Sequence, residues 1–346
     1  VARHVRPIQL ATIALLSALA AASVAGCRRK EPPRTSSPAA GASGEGAAVS
    51  TVKVRSVRCP EALVAAREGG LDEGRYVVPT DAERRAIREA VAAIMNGGDG
   101  HAKAAEAGFE IVDLPEQRAR LLREIPSRKR GGGAYVLRPD SSSRLFVQAP
   151  HGFYDEGTFP LACELFERAD AGALFVDTAH RYRGAPQAPN GSWPADVAHA
   201  RDSLFQAATE GLLRALRQRE PRVAAAGTAL AAQTSAKTPV IVQLHGFAER
   251  EAGGSMVISA GLRTPGAPLV SRAAIALGRL TKGVQRYPED QSELGATTNV
   301  QGAIVREASG QFLHIEIGAP LRRQLLDDKA LRASFLATLA DALEGA

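Results

Sequence analysis

Cysteine is scarce: the 346 residues hold three, at positions 27, 59 and 163. That excludes a disulfide-built scaffold. A large excess of one charge is missing too. Lys and Arg number 43 against 37 Asp and Glu, and no run of five or six basic residues occurs. Charge therefore gives no case for nucleic-acid binding. No internal repeat and no collagen-like glycine period is present. With 45% apolar and 23% charged residues the chain is neither fibrous nor mainly disordered, and it can bury a core.

The longest apolar run lies at the start. Arg3, His4 and Arg6 precede IQLATIALLSALAAASVAG, and Cys27 follows. A basic end, an apolar middle and small residues at the cut form the layout of a secretory signal peptide. As a membrane-spanning helix the run is only marginally long enough. Val24-Ala25-Gly26-Cys27 resembles the lipobox of bacterial lipoproteins. The resemblance implies cleavage before Cys27, lipid on Cys27 and a membrane anchor. Residues 28–58 begin Arg28-Arg29-Lys30 and are rich in Pro, Ser, Gly and Ala. Such a composition buries too little apolar surface to order itself, so a tether is expected. Arg28 in place of Asp implies the outer membrane in a Gram-negative cell envelope. Outside the cytoplasm Cys59 and Cys163 can pair; a buried free thiol at Cys163 is the alternative.

Residues 59–346 read as a single α/β catalytic domain. Thr80 and Glu83 form a capping box for a helix whose inner face carries Ile87, Ala90, Val91 and Ile94. Strands are predicted over 109–112, 134–137, 144–148, 173–176, 240–244, 256–259 and 312–317. Helices are predicted over 116–124, 159–168, 196–216, 271–280 and 325–343. Residues 224–237 look like a surface insertion. Alternating strands and helices argue for a mixed, mostly parallel central sheet flanked by helices.

In open α/β sheets, sites form where strands end. Three predicted strands run into histidine, at His151, His180 and His245, in a chain with seven histidines. His151 is followed by Asp155 and Glu156. A histidine and a carboxylate four or five residues apart on a loop can share one metal ion, and His245 can complete the set. Two imidazoles, one carboxylate and an open position suit catalytic zinc. The alternative is capping: His151 at the strand end, and Asp155 or Glu156 at the next helix. In Phe312–Ile317 the period of two puts His314 and Glu316 on one face. Glu316 can serve as general base and His314 can steady an oxyanion; an edge strand with one wet face is the other reading. Arg181, beside His180, suits a substrate carboxylate, or else a structural ion pair with Asp177 or Asp196. Asp196 and His199 are spaced like a helix cap and its first turn. Asn299 lies in a polar loop, Thr297–Gly302, where side-chain amides can bind substrate or simply form a turn.

Taken together these clusters resemble a zinc-dependent amidohydrolase group. It includes N-formylglutamate amidohydrolases and poly-γ-glutamate hydrolases, and is related in fold to zinc carboxypeptidases. The matching pieces are His151-Gly152 with Glu156 and Gly157-Thr158, then His245, then Glu316. The resemblance assigns His151, Glu156 and His245 to the metal, although the Thr stands one residue nearer than in the pattern, which keeps Asp155 in play. The carboxypeptidase His-x-x-Glu spacing is absent, and His180-Arg181 replaces an Asn-Arg clamp. What the resemblance implies is hydrolysis of an amide beside a carboxylate. Metal-activated water would attack, with Glu316 as base and Arg181 on the carboxylate. Two rivals stand. A serine hydrolase needs Gly-x-Ser-x-Gly, and Val257-Ile258-Ser259-Ala260-Gly261 lacks the first glycine. A lipoprotein that binds a ligand or partner without turnover is the non-enzymatic alternative.

Overall fold

Strict alternation in short apolar runs builds the core of this chain. The computed structural model describes residues 59–68, 76–183, 193–219, 238–248 and 254–344. The expected signal segment, Cys27, the tether and the 224–237 insertion lie outside the described residues. Among the described residues nine strands form one mixed sheet flanked by helices, in the order β1-β2-β3-β5-β4-β6-β9-β7-β8. β1 (Phe109–Leu114), β2 (Ala119–Glu124) and β3 (Ala134–Leu137) form an antiparallel meander that joins β5 (Ala173–Val176). β4 (Leu145–Ala149), β5, β6 (Val240–Phe247) and β9 (Gln311–Gly318) are parallel. β7 (Met256–Ser259) runs antiparallel to β9 and parallel to β8 (Val284–Tyr287).

Side chains alternate across this sheet. Leu145, Val147, Val242, Leu244, Leu313 and Ile315 pack into one core with α4 (Thr158–Arg168) and α9 (Lys329–Glu344). Phe146, Phe175, Ile241 and Phe312 pack into another with α2 (Asp81–Met95) and α5 (Leu204–Arg219). On that second face the same period also places Gln148, Gln243, His245, His314 and Glu316. From β4 the chain crosses through α4 to β5, then returns through α5 to β6 on the other side of β4. The connections thus part at β4 and β6, and a crevice opens at the carboxyl ends of these two strands.

Local chemistry explains the helices, which also include α3 (His101–Glu106) and α6 (Pro268–Leu277). Thr80 and Glu83 cap α2 reciprocally, a contribution of about 0.5–2 kcal/mol. Its buried Ile87, Val91, Ile94 and Met95 add roughly 1.5–3 kcal/mol each. α2 lies so close to α5 that a Cβ on Gly211 would meet the Arg88 carbonyl oxygen. Cys59 and Cys163 form a disulfide with Cα atoms 5.3 Å apart, tying α1 (Glu61–Glu68) to α4.

Several expected elements differ. Residues 116–124 are not a helix: Pro115–Gln117 makes one 3-10 turn, Arg118 takes a φ of 50°, and β2 follows. Six residues of β2 pair with β1, and this pairing overrides the helical preference of Arg and Leu. Residues 196–203 form turns, and α5 starts only at Leu204, where the Ser203 hydroxyl accepts the Gln206 amide. The closing helix is two helices, α8 (Ala319–Asp327) and α9, parted at Asp328, whose carboxylate caps the second. The Thr297–Gly302 loop leads first into α7 (Val300–Glu307), capped by Asn299.

Candidate metal centre

The crevice at β4 and β6 gathers residues from four segments. His151 and Asp155 come from the turn after β4. Tyr154 and Asp155 both donate backbone N–H groups to the His151 carbonyl. A single helix-like turn of this kind brings the residue four along back beneath the first. Asp155 is therefore buried under His151, while Glu156 rotates out to solvent. The carboxylate that joins the histidines is that of Asp155, and the assignment of Glu156 as a ligand is corrected by the turn's geometry. What Glu156 supplies is its backbone carbonyl, which accepts from Arg322 Nε at 2.7 Å. Arg322 also donates to the carbonyls of Phe247 and Ile317. One guanidinium thus ties the His151 turn to the ends of β6 and β9.

Three potential ligand atoms converge. His151 Nδ1 and His245 Nδ1 are 3.1 Å apart. Asp155 Oδ2 stands 3.5 Å from the first and 3.6 Å from the second. An ion with tetrahedral bonds of 2.0–2.1 Å needs ligands roughly 3.3–3.4 Å apart. Both imidazoles are oriented from behind. His151 Nε2 donates to Asp196 Oδ1 at 2.8 Å, and Arg181 Nη2 grips the other oxygen of Asp196 at 2.5 Å. His245 Nε2 donates to Gln243 Oε1 at 3.1 Å. Gln243 is itself pinned: Asn299 donates to its oxygen, and its nitrogen donates to Gln148 and Gln301. Gln301 commits its own nitrogen to Val197 and Gln206. Every link in this buried amide chain forces the next, so the lone pair of His245 Nδ1 faces inward. Such outer partners hold metal-ligating histidines in the required tautomer. Asp155 Oδ1 is buried without a partner. These donors fit a divalent cation such as zinc, and His151, Asp155 and His245 are the residues that would hold it.

The electrostatics agree. Burial acts to lower the His151 pKa, but hydrogen bonds to Asp155 and Asp196 outweigh it and raise the value to about 9. Burial takes His245 down to about 4. Of the two imidazoles His151 therefore holds its proton and His245 is neutral. Burial opposes ionisation of Asp155, yet the two histidines hold its pKa below the usual carboxylate range. Asp196 falls to about 2, since His151 and Arg181 outweigh its desolvation.

On β9, His314 and Glu316 face the same crevice. Register pairs Glu316 with His245 and His314 with Gln243. The polar atoms of His245, His314 and Glu316 lie within 4.8 Å of one another. His314 Nε2 is 3.5 Å from Glu316 Oε1, while Glu316 Oε2 has no partner. Burial first, and the charge of Asp155 second, raise the Glu316 pKa to about 7. Burial holds His314 well below its ordinary value, so it is neutral.

The other expected residues fare differently. Arg181 is committed to Asp196, one of the two ion-pair partners expected, and not to Asp177. It still lines the cavity of about 280 Å³ that opens over His151, His245, His314 and Glu316. Asn299 lines that cavity too, but its side chain is occupied in capping α7 and holding Gln243. His180 stays outside the converging group and packs against Tyr154. Ser259, buried at the end of β7, accepts from the Gly261 amide and donates to the distant Gly295 carbonyl, so it is no exposed nucleophile. Gln243, Gln148, Gln301 and Arg322 carry structural weight that the sequence reading did not assign, as does the contact of Asp196 with His151. The available signal was glutamine inside the apolar runs LFVQA and VIVQLHGF.

No protein-family model and no curated protein matches the chain. Three solved structures illustrate what it is similar to. The zinc-free apo form of YNDL is 15% identical over 62% of this chain and 90% of its own, with a TM-score of 0.37. Gene product Atu2144 from Agrobacterium tumefaciens is 15% identical over 58% and 88%, with a TM-score of 0.39. A metallo-carboxypeptidase from Burkholderia cenocepacia is 12% identical over 71% and 69%, with a TM-score of 0.35. At such identities and scores the chemistry rests on the site's own geometry.

Proposed function

We propose that the chain is a lipid-anchored, metal-dependent hydrolase of the bacterial cell envelope. It cleaves an amide bond beside a carboxylate, in an N-acyl- or formyl-glutamate-like, γ-glutamyl or cell-wall peptide substrate. The observation that carries this reading is the convergence of His151 Nδ1, His245 Nδ1 and Asp155 Oδ2, with a largely buried carboxylate, Glu316, beside them. Zinc bound by these residues would supply Lewis acidity at the reacting carbonyl.

The chain's own groups do the rest. Glu316, with a pKa near 7, is matched to accept a proton from attacking water and return it to the leaving nitrogen. Neutral His314 stands beside that carboxylate. Asp196 and Gln243 keep both imidazoles turned inward. Arg181 keeps Asp196 in place and, lining the cavity, draws a substrate carboxylate toward the centre. The anchor rests on Cys27 and its lipobox-like surroundings.

The test is an amine-release assay on membranes carrying the full chain, with N-formylglutamate, a γ-glutamyl dipeptide and a cell-wall peptide as substrates. Turnover of at least one is expected, lost on chelation and restored by zinc. In Cys27→Ala the activity should move to the soluble fraction. A zinc-loaded protein that cleaves none of the three would contradict the hydrolase reading.

A further inference from the structure

The chain contains five tyrosines and one tryptophan. Two of those tyrosines and the tryptophan gather beside Arg181, which lines the cavity over the candidate metal centre. Tyr154 and Tyr182 are 47% and 42% exposed, the only exposed residues among the Phe, Tyr and Trp described. Their rings are 4.9 Å apart and nearly perpendicular. His180 meets Tyr154 at 5.3 Å, and Trp193 meets Tyr182 at 6.1 Å. Each ring is tied to the site behind it. Tyr154 belongs to the His151–Asp155 turn, His180 and Tyr182 flank Arg181, and the Trp193 carbonyl accepts the Asp196 amide.

The chemistry of the cluster narrows its guest. A cation is disfavoured, because the Arg181 guanidinium already stands 5.6 Å and 5.3 Å from the centres of Tyr154 and Tyr182. An aliphatic chain would desolvate the phenol, indole and imidazole tips, which want hydrogen-bond partners. A flat aromatic guest could meet these rings edge to face, but it brings no ring of hydroxyls to pair with their polar tips. A saturated ring with C–H faces and hydroxyl edges satisfies both the ring faces and the polar tips.

We propose that Tyr154, His180, Tyr182 and Trp193 form a subsite for the pyranose ring of a sugar, so that the amide cleaved belongs to a peptide carried on a glycan. This substrate class rests on the hydrolase reading above, while binding of the sugar does not require turnover.

Trp193 is the chain's only tryptophan, so its emission reports the subsite directly. The full chain, stripped of metal, is titrated with a β-1,4-linked N-acetylglucosamine tetramer, with calorimetry in parallel. A saturable change is expected. Tyr154→Leu and Tyr182→Leu, each checked for unchanged zinc uptake, should weaken it about tenfold, equivalent to about 1.4 kcal/mol. Tyr182→Phe should weaken it less. No saturable change, or one indifferent to both leucine variants, overturns the subsite. A second comparison separates the two readings. Equal kcat/KM on a free peptide and its glycan-linked form removes the subsite and leaves the hydrolase. Sugar binding with no cleavage of any linked peptide removes the hydrolase and leaves a sugar-binding site.

Discussion

Glu316→Gln is expected to lower kcat by about 10²–10⁴-fold, the usual contribution of a positioned general base, with zinc uptake unchanged. Glu316 stands beside the three converging ligands and not among them, so the substitution removes proton transfer and keeps the metal. The same substitution should stabilise the metal-free chain at alkaline pH. In the folded chain Glu316 has a pKa of about 7 against an ordinary 4.5, chiefly through burial. Below 4.5 the group is neutral folded or unfolded and costs nothing. As pH rises from 4.5 to 7 the unfolded chain loses its proton first, and the folded state is progressively disfavoured. Above 7 the whole penalty is present, on the order of 3 kcal/mol. Thermal melts of the two metal-free proteins should therefore coincide near pH 4 and separate at pH 8, with the Gln variant melting higher. Identical melts at pH 8, or unchanged turnover, would remove Glu316 from the role of base.

Breaking the Cys59–Cys163 disulfide is expected to cost about 3–5 kcal/mol, because the bond closes a loop of roughly a hundred residues in the unfolded chain. The effect should reach the metal centre as well. α1 carries Arg67, whose Nη2 donates to the Gly152 carbonyl at 3.0 Å. Its guanidinium lies over Phe153 at 4.4 Å and Phe159 at 4.9 Å. With α1 released, the His151 turn loses that clamp. Cys163→Ala should melt lower than the wild type, bind zinc more weakly, and show no further response to reductant. A wild-type melt that ignores reductant would contradict this.

The parts of the site that end strands were legible in the sequence. Polar residues interrupt apolar runs at His245, His314 and Glu316, and period-two alternation alone puts them on a common face. His151 was legible for a related reason, as the first polar residue past β4. The choice between Asp155 and Glu156 was not, because it depends on how tightly the turn closes, and that is set by two backbone hydrogen bonds to the His151 carbonyl. The orienting residues were hidden differently. Gln243 and Arg322 act through partners far away in the chain, such as Asn299 and Glu156, and no local spacing announces such contacts. β2 was misread because its residues favour a helix in isolation, while pairing with β1 decides the outcome.

The central claim is that His151, Asp155 and His245 form a zinc centre. Its most direct test is an equilibrium zinc titration of the full chain against a competing chelator, with single alanine variants alongside. About one zinc per chain is expected, lost in His151→Ala, Asp155→Ala and His245→Ala and retained in Glu156→Ala. No uptake by the wild type, or loss in Glu156→Ala with retention in Asp155→Ala, would contradict the account.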